Sequence, residues 1–315
     1  MQHVLFHYDS SPRLLQRLAS LSAVGLEVTA IPIAAADALA SELPRTEVLW
    51  HVLEPVTRAM IEAAPELRLI QKIGVGVNTI DLAAAEARGV AVCNMPGTNT
   101  PAVAEMTLLL MLAGLRRLPL LDRATRQGRG WSLPPESMDG YGEITGNTVG
   151  LIGMGAVARR LTPALLSLGA RVVYWNRTIK ADALATWLPL DELLATADIV
   201  SLHLPLAPAT VRLMNADRFG RMKQGALLVN TARGGLVDEP ALLAALDQGR
   251  LRGAALDCFA EEPLPAGHPF LGREDIVLAP HLAWLTPETL ERSLRVAVEN
   301  CRLLRAGEPL LHRVV

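Results

Sequence analysis

The feature that most restricts the fold of this chain is the regular alternation of short apolar runs with segments of helix length. The runs "VLFH" (4–7), "EVTAI" (27–31), "EVLWH" (47–51), "LRLIQKI" (67–73) and "VAVCN" (90–94) occupy the first third. A second series begins near Thr148 with "TVGLIG" and continues through "RVVYW", "DIVSLHL", "ALLVNTA", "GAALDCF" and "DIVLAPH". Strands that alternate with helices pair in parallel, so the expected fold class is α/β with two doubly wound parallel sheets.

The division between the two series is marked by "RQGRGWSLPPESMDGYGEITGN", Arg126 to Asn147, a Gly- and Pro-rich stretch of the kind found at domain edges. Before it, Pro101 to Leu118 predicts one long helix, and a second, Pro287 to Arg305, closes the chain. At 315 residues there is material for about two domains of ordinary size. Helices bracketing the second series imply that the chain leaves one domain, builds another, and returns. The boundaries expected are 1–98 plus 284–315 for one domain and 99–283 for the other. Ligands of doubly wound sheets bind beyond the carboxyl ends of the strands, so an interdomain cleft is the expected site.

Bulk properties exclude several classes of function. No apolar run approaches the roughly 18–20 residues that a membrane-spanning helix needs; "AVAEMTLLLMLAGL" contains Glu105 and is followed by Arg116 and Arg117. No signal peptide is expected from the start "MQHVLFHYDSSPRL". The net charge is −2, and the 27 arginines and three lysines form no dense basic run, so nucleic acid is not an expected partner. Cys93, Cys258 and Cys301 are odd in number, widely spaced and set among apolar residues, which points to a reduced cytoplasmic protein with inert thiols. No metal site is expected.

The first chemical motif is "TVGLIGMGAVARRL", Thr148 to Leu161. A β-rich segment runs into Gly153-x-Gly155-x-x-Ala158 and then a helix. Gly153 permits a tight turn, Gly155 lets the backbone approach a pyrophosphate, and Ala158 is small enough for helix–strand packing. The helix N-terminus, with Ala156 and Val157, offers amides and positive dipole to phosphates. Alone the glycine pattern could be a structural turn; in this strand–turn–helix–strand setting it predicts dinucleotide binding.

Asn176 follows Gly155 by 21 residues, the interval at which an NAD-binding unit places a carboxylate for the ribose. The stretch here is "WNRTIK". A carboxylate repels a 2′-phosphate, whereas Asn176 is neutral, Arg177 offers a planar fork, Thr178 a hydroxyl and Lys180 further charge. The stretch therefore reads either as a solvated turn or as a 2′-phosphate pocket, and the second is preferred. The cofactor expected is NADP(H); Asn176 leaves NAD(H) admissible.

The third constellation is Arg233 in "VNTARGGLVDEPAL", Asp257 and Glu262 in "GAALDCFAEEPLP", and His281 in "LAPHLAW". Each follows a predicted strand of the nucleotide domain. Singly, each has an ordinary structural explanation; at successive strand ends behind a nucleotide motif, an Arg, a Glu and a His can converge on one site.

Together with "KIGVGVNTIDL", "NMPGTNTPAVAEMTLLLMLA", "SLHLPLAPAT" and "APHLAWLT", these stretches resemble the D-isomer-specific 2-hydroxyacid dehydrogenase family over about Leu67 to Thr286. "PHLAW" is similar to the glyoxylate/hydroxypyruvate reductases among them. The resemblance implies a flavodoxin-like substrate domain (1–98 plus 284–315) and a Rossmann cofactor domain (99–283). It implies that His281 gives a proton to the carbonyl oxygen as hydride arrives, and that Glu262 pairs with His281 and raises its pKa. Arg233 would bind the substrate carboxylate, with the amides around Val75 and Gly76 completing that site. Asp257 would accept from the nicotinamide carboxamide, and His203, Pro205 and Thr210 would lie along the adenosine. Thr231 and Ala232 complete the cofactor-binding set.

The expected activity is an NADP(H)-preferring interconversion of 2-oxo acids and D-2-hydroxy acids, working as a reductase of small 2-oxo acids, in a homodimer. The rival is a nucleotide-sensing binding protein on the same fold, of the corepressor kind, with little turnover. The Arg233, Glu262 and His281 set favours the enzyme.

Overall fold

The computed structural model describes the backbone of residues 1–315 and every side chain except that of Met138. The chain divides into two compact units, Met1–Asn99 with Thr286–Val315, and Thr100–Leu285.

In the first unit, five strands are joined by crossovers: β1 (Gln2–His7), β2 (Leu26–Ile31), β3 (Val48–His51), β4 (Leu69–Lys72) and β5 (Ala91–Cys93). They pair in parallel in the order β2-β1-β3-β4-β5, the flavodoxin-like order. Register sets Leu5, Leu49 and Ile70 side by side on one face, where they join a buried apolar cluster. Phe6 and Trp50 face the other way in an edge-on ring contact.

The second unit holds β6 (Thr148–Ile152), β7 (Arg171–Trp175), β8 (Thr186–Trp187), β9 (Ile199–Leu202), β10 (Ala226–Asn230), β11 (Leu251–Leu256) and β12 (Ile276–Leu278). Their order is β12-β11-β10-β9-β6-β7-β8, all parallel. Successive strand residues point to opposite faces. Val149, Leu151, Val172, Ile199 and Leu227 join one core cluster, while Ile152, Val173, Val200 and Leu228 join the other. Both faces are therefore buried, which is why these strands are continuous apolar runs rather than alternating ones. Parallel pairing brings the carboxyl ends of all seven strands to one edge of the sheet.

Two elements depart from the sequence expectation. The two-residue β8 was not foreseen; "TW" is too short to carry a periodic signal. The long helix expected over Pro101 to Leu118 runs from Thr100 to Arg116 and stops where Arg117 adopts a left-handed conformation (φ +49°); a second helix, Leu118–Arg126, which was not foreseen, follows it. The closing helix spans Pro287–Ala306, capped by the Thr286 side chain and ended by left-handed Gly307. Among the described residues, no helix is long and apolar enough to cross a membrane.

Candidate active site

The glycine turn follows β6 directly. Gly153 has φ +105°, and a Cβ there would stand 2.5 Å from the carbonyl oxygen of His203. Only glycine fits, because the chain leaving β9 lies against it. Gly155 precedes the helix Ala156–Ser167 in extended conformation, and a Cβ on it would meet nothing within 4 Å. Among the described residues the amides of Gly155, Ala156, Val157 and Ala158 find no acceptor. Donors left over at the positive end of a helix, beside open space, form a cradle for an anionic group. The residues present thus fit the pyrophosphate of a dinucleotide.

β7 delivers the next group. The Gly153 amide donates to the Trp175 carbonyl at 2.8 Å, so Asn176 starts beside the glycine turn. Asn176 is committed to its own loop: Nδ2 donates to the Thr178 carbonyl at 2.9 Å and its carbonyl accepts from Trp187 Nε1 at 3.1 Å. The buried Tyr174 hydroxyl accepts the Lys180 amide at 2.8 Å and donates to the Lys180 carbonyl at 3.2 Å, pinning the far side of the loop. Arg159 and Asp182 form a two-bond pair between the helix and the loop, at 2.6 and 2.9 Å. Arg177 is exposed, and among the described residues its guanidinium has no ion pair.

The other sequence-named cofactor residues lie at the ends of β9 and β10. His203 Nε2 is 3.0 Å from Ser201 Oγ, and burial pushes the imidazole down to about 4, so it is neutral. Thr210 closes a turn with Pro205, accepting the Ala207 amide and donating to the Pro205 carbonyl, each at 2.8 Å. Thr231 Oγ1 lies 2.8 Å from Thr107 Oγ1; Thr107 donates to the Val103 carbonyl, so Thr231 supplies the proton between them.

Three loops bring Arg233, Glu262 and His281 together. After β10, the buried Asn230 side chain accepts the Ala232 amide at 3.0 Å and donates to the Arg233 carbonyl at 2.9 Å, which shapes the turn bearing Arg233. Arg233 Nη1 donates to the Ala232 carbonyl at 2.6 Å. After β11, Glu262 folds back so that Oε1 accepts the Phe259 amide at 2.8 Å. Its Oε2 stands 2.6 Å from Nδ1 of His281, which follows β12 in a left-handed conformation (φ +55°). Burial raises the Glu262 carboxyl, but the His281 hydrogen bond and charge, the Phe259 amide and the Arg233 charge outweigh it, and its pKa is lowered. His281 Nε2 is left without a partner among the described residues. Such a set can bind an anion and hold a proton at one imidazole nitrogen.

Asp257 is placed differently from a simple cofactor ligand. It is 1 % exposed, and its two oxygens accept the Leu282 and Ala283 amides, each at 2.9 Å. Burial raises its pKa despite these bonds. Two residues not singled out from the sequence also shape the site. Asn230 gave no signal as the last residue of a strand. Gly234 is demanded by its neighbours, since a Cβ would fall 1.8 Å from the carbonyl carbon of Phe259.

In the first unit, Val75 and Gly76 lie on the loop after β4. Neither amide has an acceptor among the described residues, and Asn94 Nδ2 holds the loop by donating to the Val75 carbonyl at 2.9 Å.

A family model described as D-isomer specific 2-hydroxyacid dehydrogenase, NAD binding domain, matches residues 108–283. A glyoxylate reductase of Korarchaeum cryptofilum is 37% identical over 81% of this chain and 78% of its own length. The chain belongs to the D-isomer specific 2-hydroxyacid dehydrogenase family. The solved structure of the TT0316 protein from Thermus thermophilus is similar to this D-2-hydroxyacid dehydrogenase with a TM-score of 0.90, at 38% identity and with all of both chains covered. A NADPH-dependent glyoxylate/hydroxypyruvate reductase from Sinorhizobium meliloti, solved with NADP and malonate, is similar with a TM-score of 0.83 and 28% identity over 100% of this chain and 97% of its own. As a D-2-hydroxyacid dehydrogenase, the protein is an oxidoreductase that takes a nicotinamide dinucleotide and a small 2-oxo or 2-hydroxy acid.

Proposed function

We propose that the enzyme is an NADP(H)-preferring reductase of small 2-oxo acids, of the glyoxylate or hydroxypyruvate kind. The carrying observation is the Glu262–His281 pair, which occupies Nδ1 and leaves Nε2 as the nitrogen able to protonate a carbonyl oxygen. A bound nicotinamide supplies the hydride. His281 gives the proton, and the ionised Glu262 holds the ring in place. Arg233, with a charge that is fixed at working pH, binds the substrate carboxylate and polarises the 2-oxo group.

The preference for NADP(H) rests on Asn176 at the ribose position and on the uncommitted Arg177 beside it. The pinned backbone of the loop keeps Arg177 close in the chain to the end of β7. Asp257, busy with two backbone amides, retains lone pairs for the nicotinamide carboxamide. The three buried free cysteines fit the reducing cytosol. Exposed Leu109, Leu112, Leu118 and Trp131 on neighbouring elements of the second unit support a homodimer.

The test is purified enzyme with NADPH or NADH and a panel of 2-oxo acids including glyoxylate and hydroxypyruvate. Consumption of NADPH is expected. Tight cofactor binding with no turnover on any member would favour a binding protein instead.

A further inference from the structure

The loop that carries Glu262 is gripped by a second carboxylate outside the reacting groups. Glu239 opens the helix Glu239–Asp247, just after the Arg233 turn. Its Oε1 accepts the Ala260 amide at 2.8 Å, and its Oε2 faces Nε2 of His268 at 3.5 Å. His268 Nδ1 accepts the Phe270 amide at 3.3 Å, which leaves the ring proton on Nε2, toward Glu239. The same ring packs edge-on against Phe270 at 4.6 Å, and Phe270 is wholly buried in the core of the unit. The Glu239 and His268 side chains are 13% and 19% exposed, so the pair is sheltered.

Ala260 belongs to the turn that Glu262 closes by accepting the Phe259 amide. The other side of that turn rests on Gly234, with no room for a Cβ. Residues 259 and 260 are thus held from two directions, by Gly234 and by Glu239. Capping the helix does not account for Glu239, because Asp238 already does so by accepting the Ala241 amide at 3.1 Å.

We propose that Glu239 is a positioning residue for the Glu262–His281 pair: by accepting the Ala260 amide and leaning on His268, it fixes the turn from which Glu262 reaches Nδ1 of His281. This rests on the reading of Glu262 and His281 given above. Glu239 acts through the backbone. The groups that set the Glu262 carboxyl are its burial, His281, the Phe259 amide and Arg233, with Asp257 and Cys258 also facing it.

Two gentle substitutions separate reach from charge. Glu239→Asp keeps the charge at the helix start but withdraws it by one methylene from Ala260. Glu239→Gln gives up the charge and keeps an oxygen that accepts the amide. The Asp variant should lose about tenfold or more in kcat, as misplacements on the order of 1 Å do. The acid limb of its kcat/KM profile should move to higher pH, because a loosened Glu262 loses bonds to its ionised form, and the KM for cofactor should hardly change. The Gln variant keeps the Ala260 bond but turns an N–H toward His268 Nε2–H, so it should be impaired less than the Asp variant in kcat and in the acid limb. Carbon-13 NMR of the Glu262 carboxyl in cofactor-free protein gives a second readout, with titration shifted upward in the Asp variant and less so in the Gln variant. A limb and a titration that both stay in place in a folded Asp variant overturn the proposal. So does a Gln variant as impaired as the Asp variant. Glu262→Gln is the reference: if the acid limb survives that change, the reading of Glu262 itself fails, whatever Glu239 does.

Discussion

Asp257 holds the backbone that carries His281: its Oδ1 accepts the Leu282 amide and its Oδ2 the Ala283 amide, both at 2.9 Å. Glu262, five residues further along the same loop, then meets the ring of His281 itself. One strand end thus supplies both the anchor of the histidine backbone and the partner of its side chain.

Asp257→Asn should therefore be felt first as a loss of stability. An Asn side chain accepts at one oxygen and presents N–H donors to the other amide. Leaving a buried donor unsatisfied costs about 1–3 kcal/mol, which urea denaturation can measure. Unchanged stability with impaired cofactor binding would show that Asp257 serves the cofactor alone.

Replacing His281 by Asn removes the nitrogen proposed to protonate the carbonyl oxygen. Turnover should fall by about 10²–10⁴, the usual weight of general acid–base catalysis, with cofactor affinity nearly intact. An unchanged kcat would remove His281 from its proposed role.

Arg177→Ala tests the cofactor preference. Losing a charge-assisted hydrogen bond costs about 1.5–3 kcal/mol, so the KM for NADPH should rise tenfold or more while that for NADH barely moves. Equal effects on the two cofactors would refute a contact with the 2′-phosphate.

The Glu262 carboxyl is held below its ordinary 4.5 in the folded chain. A depressed carboxyl contributes stability above its unfolded pKa, and that contribution is lost as pH falls through the folded value. The side chain is 33% exposed, so solvent screening keeps the contribution small. Glu262→Gln should be less stable than the unmodified enzyme at neutral pH, and the difference should shrink in acid. A deficit that stays constant from neutral to acid pH would rule out this linkage.

Gly234→Ala should damage two loops at once, because its Cβ would overlap the Phe259 carbonyl. Overpacking a buried site costs about 1–3 kcal/mol or more. The melting temperature should drop, and kcat should fall in the fraction that folds. A variant of normal stability and rate would mean that the Phe259–Ala260 turn yields freely.

The sequence by itself determined the architecture. Strands buried on both faces must be apolar throughout, so the runs from "TVGLI" to "DIVL" were visible without any partner. The glycine turn was equally legible, because Gly153 answers a local steric demand that leaves its mark on one residue. The break at Arg117 was not legible, since a left-handed arginine has no residue-type signature. Nor was the two-residue β8, too brief to show a period. Within the site, sequence could name Arg233, Glu262 and His281 as chemistry-bearing residues at strand ends. Only the tertiary structure decided that Glu262 takes Nδ1, that Asp257 receives two amides, and that Asn230, Gly234 and Glu239 shape the turns between. Asn230 acts within its own turn, but the others are contacts between loops distant in sequence, among them Glu239 with Ala260 and Asp257 with Leu282. Their partners are chosen by how strands stack in the sheet, and strand order is not written at any one position of the chain.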